Sequence, residues 1–249
     1  MTEYSLQEML QKGVHFGHQK KSWHPKMAQY IYTTRAGVHI FDLEKTAQKL
    51  SEAADFVRSV ASSGGKILFV STKRQAQAIV RKAAASVNMP FATISWIGGT
   101  LTNFDHIIKQ VHLLKDLRKK RAGGELAKYT KRERLQFDEQ IASLEKTVGG
   151  IETLESLPQA LFIVDLKKEK TALREAKKKK IPVVAMVDSN CNPDLVDYAI
   201  PSNDDATKSI EYIVNAVTTA IADTVKKPVQ TEEPKPAPAQ PADKVQKGN

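Results

Sequence analysis

Cysteine is nearly absent, since Cys191 is the only one in 249 residues. A lone thiol closes no internal disulfide and, with no second cysteine, builds no thiolate metal site, which suits a reducing cytoplasm. Long apolar runs are missing too: the longest, such as Val183–Val187, are strand-sized and far short of the roughly 20 residues that cross a bilayer. The opening residues Met1–Glu8 carry acids and lack the basic-then-apolar layout of a secretory signal, so no export is expected. Acidic charge is in deficit, with 28 Asp and Glu against 38 Lys and Arg and a net charge of +10. Such an excess favours a polyanionic partner, nucleic acid first among them.

Catalytic signatures are lacking as well. No G-x-G-x-x-G, G-x-S-x-G or H-E-x-x-H pattern occurs. The run Ser62–Lys66 (SSGGK) imitates part of a phosphate loop but precedes its strand, whereas a working loop follows a strand and opens a helix. Cys191 lies in Ser189–Pro193 with no motif that assigns it a partner base. An enzyme reading therefore lacks its nucleophile.

What is present is a soluble globular composition, 41% hydrophobic and 27% charged, with chain enough for one large domain or two small ones. From 66 to 225 short β-rich runs alternate with amphipathic helical patterns. Lys66–Ser71, Phe91–Trp96, Ala160–Asp165, Ile181–Asp188 and Tyr198–Ile200 read as strands. A helix opened by a Thr72-x-x-Gln75 capping box runs to about Val87, and others cover 44–62, 169–179 and 207–225. Near-continuous apolar strands separated by helices predict an open, doubly wound α/β fold with a parallel sheet covered on both faces. From 226 to 249 the chain holds five of the eleven prolines and no Leu, Ile, Phe, Met, Trp or Tyr, and it reads as a disordered tail.

One insertion breaks the alternation. Between 102 and 148 there is no strand pattern, only two helical arms divided by Gly123-Gly124. Phe104, Ile107, Val111, Leu114 and Leu117 share one seam, and Phe137, Ile141, Leu144 and Val148 share another. This near-heptad spacing predicts a projecting antiparallel coiled-coil hairpin with arms roughly 30 Å long. Residues 1–101 and 149–225 then form the α/β domain with a basic N-terminal loop.

Candidate contact residues fall in several segments. Between Glu8 and Asp42 there is no acid, while Lys12, Lys20, Lys21, Lys26 and Arg35 supply five fixed positive charges. In Gly17–Lys26 cationic tips alternate with flat rings, so Lys20, Lys21 and Lys26 can grip phosphates while Trp23 and His24 pack on ribose or an unpaired base. Lys115–Arg134 sets nine Lys or Arg against three acids around the hairpin turn, which makes the tip either a solvated end or a phosphate contact. Lys167–Lys180, with eight basic and two acidic residues, reads as the solvent face of a crossover helix. The loop Ile97–Asn103 (IGGTLTN) follows a strand and opens a helix through a Thr102-x-x-Asp105 capping box, so its amides can hold a phosphate, reinforced by Lys73 and Arg74. Asp165, Asp188, Asp204 and Asp205 fall at strand ends. The last three, with His15 or His18, either bind a divalent cation such as Mg or Zn or serve as helix and turn caps.

The segments Leu10–His18 (LQKGVHFGH), Trp23–Met27 (WHPKM), Ile40–Leu43 (IFDL), Phe69–Lys73 (FVSTK), Trp96–Asn103 (WIGGTLTN) and Pro158–Asp165 (PQALFIVD) closely resemble a known family. So do Ile181–Ala185 (IPVVA) and Asp188-x-Asn-x-x-Pro193. It is the family of the second protein of the bacterial small ribosomal subunit, and the match runs in order over roughly residues 1–225. The resemblance implies a flavodoxin-like domain with a coiled-coil hairpin, lodged between head and body of the small subunit and touching ribosomal RNA with both parts. It implies other small-subunit proteins as neighbours, among them the large messenger-binding protein of repeated OB domains, whose recruitment this family assists. Carried onto this sequence, the Gly17–Lys26 loop with Thr100, Thr102 and Asn103 is RNA-facing, as is the hairpin tip with Lys119, Lys120, Arg121, Lys131 and Arg132. It implies no catalysis and no required cofactor. The competing expectation is a nucleotide-binding enzyme using the Gly98-Gly99 loop, since a doubly wound sheet does not by itself fix function.

Overall fold

The structure, a computed structural model, describes residues 4–225; the tail expected to be disordered lies outside the described residues. In chain order come α1 (Leu6–Gln11), β1 (Phe16–Gln19), β2 (Ile31–Arg35), β3 (Val38–Phe41), α2 (Leu43–Ser62), β4 (Ile67–Val70), α3 (Arg74–Ser86) and β5 (Phe91–Ala92). Then follow α4 (Phe104–Ala122), α5 (Lys131–Val148), β6 (Ala160–Val164), α6 (Lys170–Lys179), β7 (Val183–Val187), β8 (Tyr198–Pro201) and α7 (Thr207–Val225). Strands β4 to β8 form one parallel sheet in the order β5-β4-β6-β7-β8. Counted from β4 this is the 2-1-3-4-5 order of flavodoxin-like sheets, as expected.

The two faces of the sheet follow from strand alternation. Ile67 and Phe69 of β4 and Ala160, Phe162 and Val164 of β6 join α2, α3 and α7 in one core; Leu68, Val70, Leu161 and Ile163 join α4, α5 and α6 in the other. Every residue of β4, β6 and β7 is buried, which is why these strands read as uninterrupted apolar runs. Phe69 and Phe162, fully buried with ring centroids 5.2 Å apart, anchor the first core and contribute about 1.5–3 kcal/mol each through burial.

Helices α4 and α5 pack antiparallel along the expected seam. Ile107, Val111, Leu114, Leu117, Ile141, Leu144 and Val148 are buried, with Phe104 and Phe137 packed against them. Arg118 Nε donates to Glu145 Oε1 at 2.9 Å and Arg118 also bridges to Glu152 at 2.7 Å, stitching the base of the pair. At the tip the chain makes a short 3-10 turn, Glu125–Lys128, which tucks Leu126 inside.

Three expectations need correction. The strand at Phe91–Trp96 lasts only two residues, because β5 is the sheet edge and the chain leaves it toward α4. The N-terminal loop is a folded unit, a three-stranded antiparallel sheet in the order β1-β3-β2 with 3-10 turns at Lys20–Ser22 and Pro25–Tyr30. Neither expected capping box forms: α3 and α4 begin at N-caps Lys73 and Asn103 without side-chain caps, because Thr72 and Thr102 are bonded to acids from α6 and the turn before it.

Candidate nucleic-acid interface

The N-terminal sheet is pinned across the carboxyl edge of the parallel sheet. Backbone amides of His18 and His24 donate to Ser189 Oγ and Ser189 O, each at 2.7 Å, and Asn203 Nδ2 donates to Gly13 O at 3.2 Å. The approach is close enough that a Cβ on Gly17 would stand 2.8 Å from Ser189 Oγ, so only glycine fits there. His18 Nδ1 lies 2.9 Å from Asp188 Oδ1, and that hydrogen bond raises the imidazole's pKa above its usual value despite partial burial. This docking holds the Lys20–Ser22 turn outward, where Lys20 and Lys21 are exposed and, among the described residues, lack an acidic partner.

Beneath it, the edge where doubly wound domains hold ligands is filled by the chain itself. Lys73, 8% exposed, turns inward and reaches Asp205 at 2.6 Å, Asp204 at 2.7 Å and Asp165 at 3.4 Å. Burial alone would lower its pKa, but the bonds to Asp204 and Asp205 outweigh that and keep it firmly charged. Asp204, 2% exposed, is pushed up to about 7 by burial and by Asp188 and Asp165, against the opposing pull of Lys73. At the point where strand order reverses, between β4 and β6, Glu169 Oε1 accepts from both the amide and the hydroxyl of Thr72 at 2.6 Å, and Lys168 Nζ donates to Thr72 O at 2.7 Å.

The glycine loop after β5 is occupied in the same manner. Glu175, 7% exposed, accepts from the amides of Gly99, Leu101 and Thr102 at 2.8, 2.9 and 3.1 Å, from Trp96 Nε1 at 3.1 Å and from the Thr102 hydroxyl at 3.2 Å. Burial raises its pKa, yet these donors together hold the carboxyl below its usual range. A carboxylate from α6 thus fills the anion position expected for a phosphate. Gly99 adopts φ 97°, the left-handed backbone that lets successive amides converge on one acceptor.

Several expected contact residues are therefore spoken for. Thr100 is buried with its hydroxyl on Ile97 O at 2.6 Å, Thr102 is bound to Glu175, and Lys73 is committed to the carboxylates; Asn103 and Arg74 remain exposed. Lys26 pairs with Asp194. Trp23 is half-buried beside His39, ring centroids 5.0 Å apart, and His24 Nδ1 accepts from the Lys26 amide as an N-cap. Of the candidate metal ligands, His18, Asp188 and Asp205 come within 4.8 Å of one another, while Asp204 faces Lys73 and His15 lines a separate groove. Asp204 and Asp205 hold the Lys73 ammonium and Asp188 pairs with His18, so these acids already have partners within the chain. Cys191 is buried, its thiol pushed up to about 12 by burial and neighbouring acids, which leaves it protonated and inert near neutrality.

The hairpin tip is different. Lys119, Lys120, Arg121, Lys131 and Arg132 are all exposed, and among them only Arg121 has an acid near, Asp138 at 3.6 Å. Lys131 and Arg132 occupy the first turn of α5, where the helix dipole disfavours cations; the Thr130–Glu133 capping box holds the turn together in spite of them. A second exposed feature is an apolar groove of about 540 Å³ lined by Leu6, Leu10, His15, Tyr32, Ile40 and Leu43. Among the described residues no helix is long and apolar enough to cross a membrane.

A flavodoxin-like domain whose ligand edge is closed by its own side chains, with cations left on projecting parts, is an α/β scaffold that presents its charge outward. The sequence model described as "Ribosomal protein S2" matches residues 9–224. The chain is 50% identical over 216 residues to the small ribosomal subunit protein uS2 of Roseiflexus sp. (strain RS-1), covering 87% of this chain and 82% of that protein. It is also 50% identical over 218 residues to the protein of the same name from Flavobacterium psychrophilum, covering 88% of this chain and 82% of that one. The chain belongs to the ribosomal protein S2 family; it is a structural ribosomal protein and not an enzyme, and its place is the cytoplasmic ribosome.

Proposed function

We propose that this chain is a structural constituent of the small ribosomal subunit that clamps small-subunit ribosomal RNA between head and body through two separated cationic surfaces. One is the outward turn with Lys20, Lys21 and the half-buried Trp23; the other is the hairpin tip with Lys119, Lys120, Arg121, Lys131 and Arg132, carried on what we take to be an antiparallel coiled coil. The observation that supports this best is the contrast in occupancy. Carboxylates saturate the interior cation Lys73, whereas these outer cations, Arg121 apart, are left without acids, the arrangement phosphate contact calls for. The apolar groove beside α1 suits a protein neighbour rather than RNA, and recruitment of the large OB-repeat protein fits there. A nucleotide-binding enzyme is disfavoured because Glu175 and Glu169 take the amides such a ligand would need.

Sedimentation of lysate followed by cross-linking of the small-subunit fraction tests the reading. The chain should travel with the small subunit, with cross-links to RNA at both surfaces. Cross-links at neither would overturn it.

A further inference from the structure

On that reading a third surface follows. Helix α6 belongs to the run Lys167–Lys180, which holds eight basic and two acidic residues, and the structure turns both acids inward. Glu169 is 3% exposed and bound to Thr72, and Glu175 is bound to the 97–102 loop. Ala172, Leu173 and Ala176 face the core, leaving Lys170, Arg174, Lys177 and Lys178 as one outward stripe at helical spacing. Among the described residues no carboxylate lies within ion-pairing distance of these four.

A helix face meant only for water alternates its charges, because like charges three or four residues apart destabilise a helix by about 0.2–0.5 kcal/mol per pair. Helix α2, on the opposite face of the sheet, does so: Lys45 pairs with Asp42, Lys49 with Glu52 and Arg58 with Asp55. The α6 stripe instead stacks Lys170 on Arg174 and Arg174 on Lys177 and Lys178. The helix dipole explains cations in the last turn but not Lys170 in the first. Location adds to the case, since α6 shares its core with the hairpin and with Met27 beside Lys26. Lys177 and Lys180 line one open cavity of about 420 Å³ with Asp194, the partner of Lys26. The stripe therefore lies on the same face of the sheet as the hairpin and beside the Lys26–Asp194 pair.

We infer that the outer face of α6 is a third contact surface for the phosphate backbone of ribosomal RNA. A fourfold variant, Lys170→Gln, Arg174→Gln, Lys177→Gln and Lys178→Gln, is compared with the wild type and with a control, Lys45→Gln, Lys49→Gln and Arg58→Gln on α2. Each full-length chain is titrated onto small subunits stripped of this protein, between 50 and 300 mM salt. If each of the four cations meets one phosphate, the slope of log affinity against log salt becomes shallower by about 3, at about 0.7–0.9 for each phosphate no longer neutralised, while the control keeps the wild-type slope. Melting temperatures confirm folding, and removal of the like-charge pairs should leave that of the α6 variant unchanged or higher. An unchanged slope in the α6 variant beside a steep wild-type slope overturns this inference alone, and would assign the stripe to an acidic protein or to solvent. A wild-type chain that fails to rebind, or rebinds with no salt dependence, overturns the RNA-clamp reading itself.

Discussion

Glu175 shows how one buried side chain decides what the molecule can do. Its carboxylate turns a glycine loop that would otherwise offer converging amides to a phosphate into a closed internal turn at the root of α4. Glu175→Ala should lower the unfolding free energy by about 3 kcal/mol in urea titration, since several donors are deprived of their acceptor and only the more exposed regain water. Trp96, which gives up its Nε1 bond, should change fluorescence in the same variant. Glu175→Gln should cost less, because one carbonyl oxygen survives. A cost under about 0.5 kcal/mol for the alanine variant would show that the loop does not depend on this carboxylate. In the sequence the surrounding lysines mask Glu175; only its helical phase between Leu173 and Ala176, on the core side, distinguishes it.

The carboxylate ring makes a pH prediction with a definite sign. Asp204 has its pKa raised to about 7 in the fold, so the folded protein binds a proton more tightly than the unfolded chain does. Its contribution is fully present below the unfolded carboxylate value and is lost as pH rises through about 7. His18, also raised, gives up its stabilising proton over a window above its ordinary value of 6.5. The melting temperature should therefore fall from about pH 4 to about pH 7 through Asp204 and go on falling above about 6.5 through His18. Asp204→Asn, which keeps an acceptor for Lys73 and removes the titrating charge, should flatten that fall. An equal slope in both proteins would mean that Asp204 is ionised throughout.

At the scale of elements the molecule separates parts that fold from parts that reach. In the hairpin, Leu114 and Ile141 are fully buried while the cations at the tip are exposed. Leu114→Ala should cost about 2–5 kcal/mol in stability. The variant Lys119→Gln, Lys120→Gln and Arg121→Gln should stay within about 0.5 kcal/mol of wild type and yet weaken rebinding to stripped subunits. Thermal unfolding and rebinding assays separate the two outcomes, and a tip variant that rebinds normally would remove the hairpin from the interface. The seams of both arms are legible in the sequence, because apolar spacing records burial on one side of a helix. The parallel strands are legible for the same reason, being buried on both faces. The N-terminal sheet is not: β2 is exposed at four of its five positions, and β1 and β3 alternate weakly. What holds those strands are backbone and polar contacts to Ser189 and Asn203, 171 and 190 residues away in sequence, and no local pattern reports such contacts.

Across the whole molecule, charge is sorted by face and by depth. Among the described residues acids concentrate inside the carboxyl edge around Lys73 and His18, α2 balances its own charges, and unpaired cations collect on the hairpin, on α6 and at the N-terminal turn. A scaffold built this way needs no cavity for a small molecule. On the proposed RNA-clamp reading its affinity comes from displacing counterions along RNA and should be steeply salt-dependent. For Lys20, Lys21, Lys119, Lys120, Arg121, Lys131 and Arg132, one phosphate apiece at about 0.7–0.9 contributes about −5 to −6 to the slope, to which the α6 stripe adds about −3. The two clamp surfaces alone should then cost affinity for stripped small subunits roughly a thousandfold between about 50 and 200 mM salt, and the α6 stripe steepens that loss. The double variant Lys20→Gln and Lys21→Gln should soften the slope by about 1.5, with the fold intact because neither side chain is tied to an acid within it. A slope near zero for the wild type would mean that binding is carried by apolar contacts, such as the groove beside α1, and that the outer cations serve only solubility.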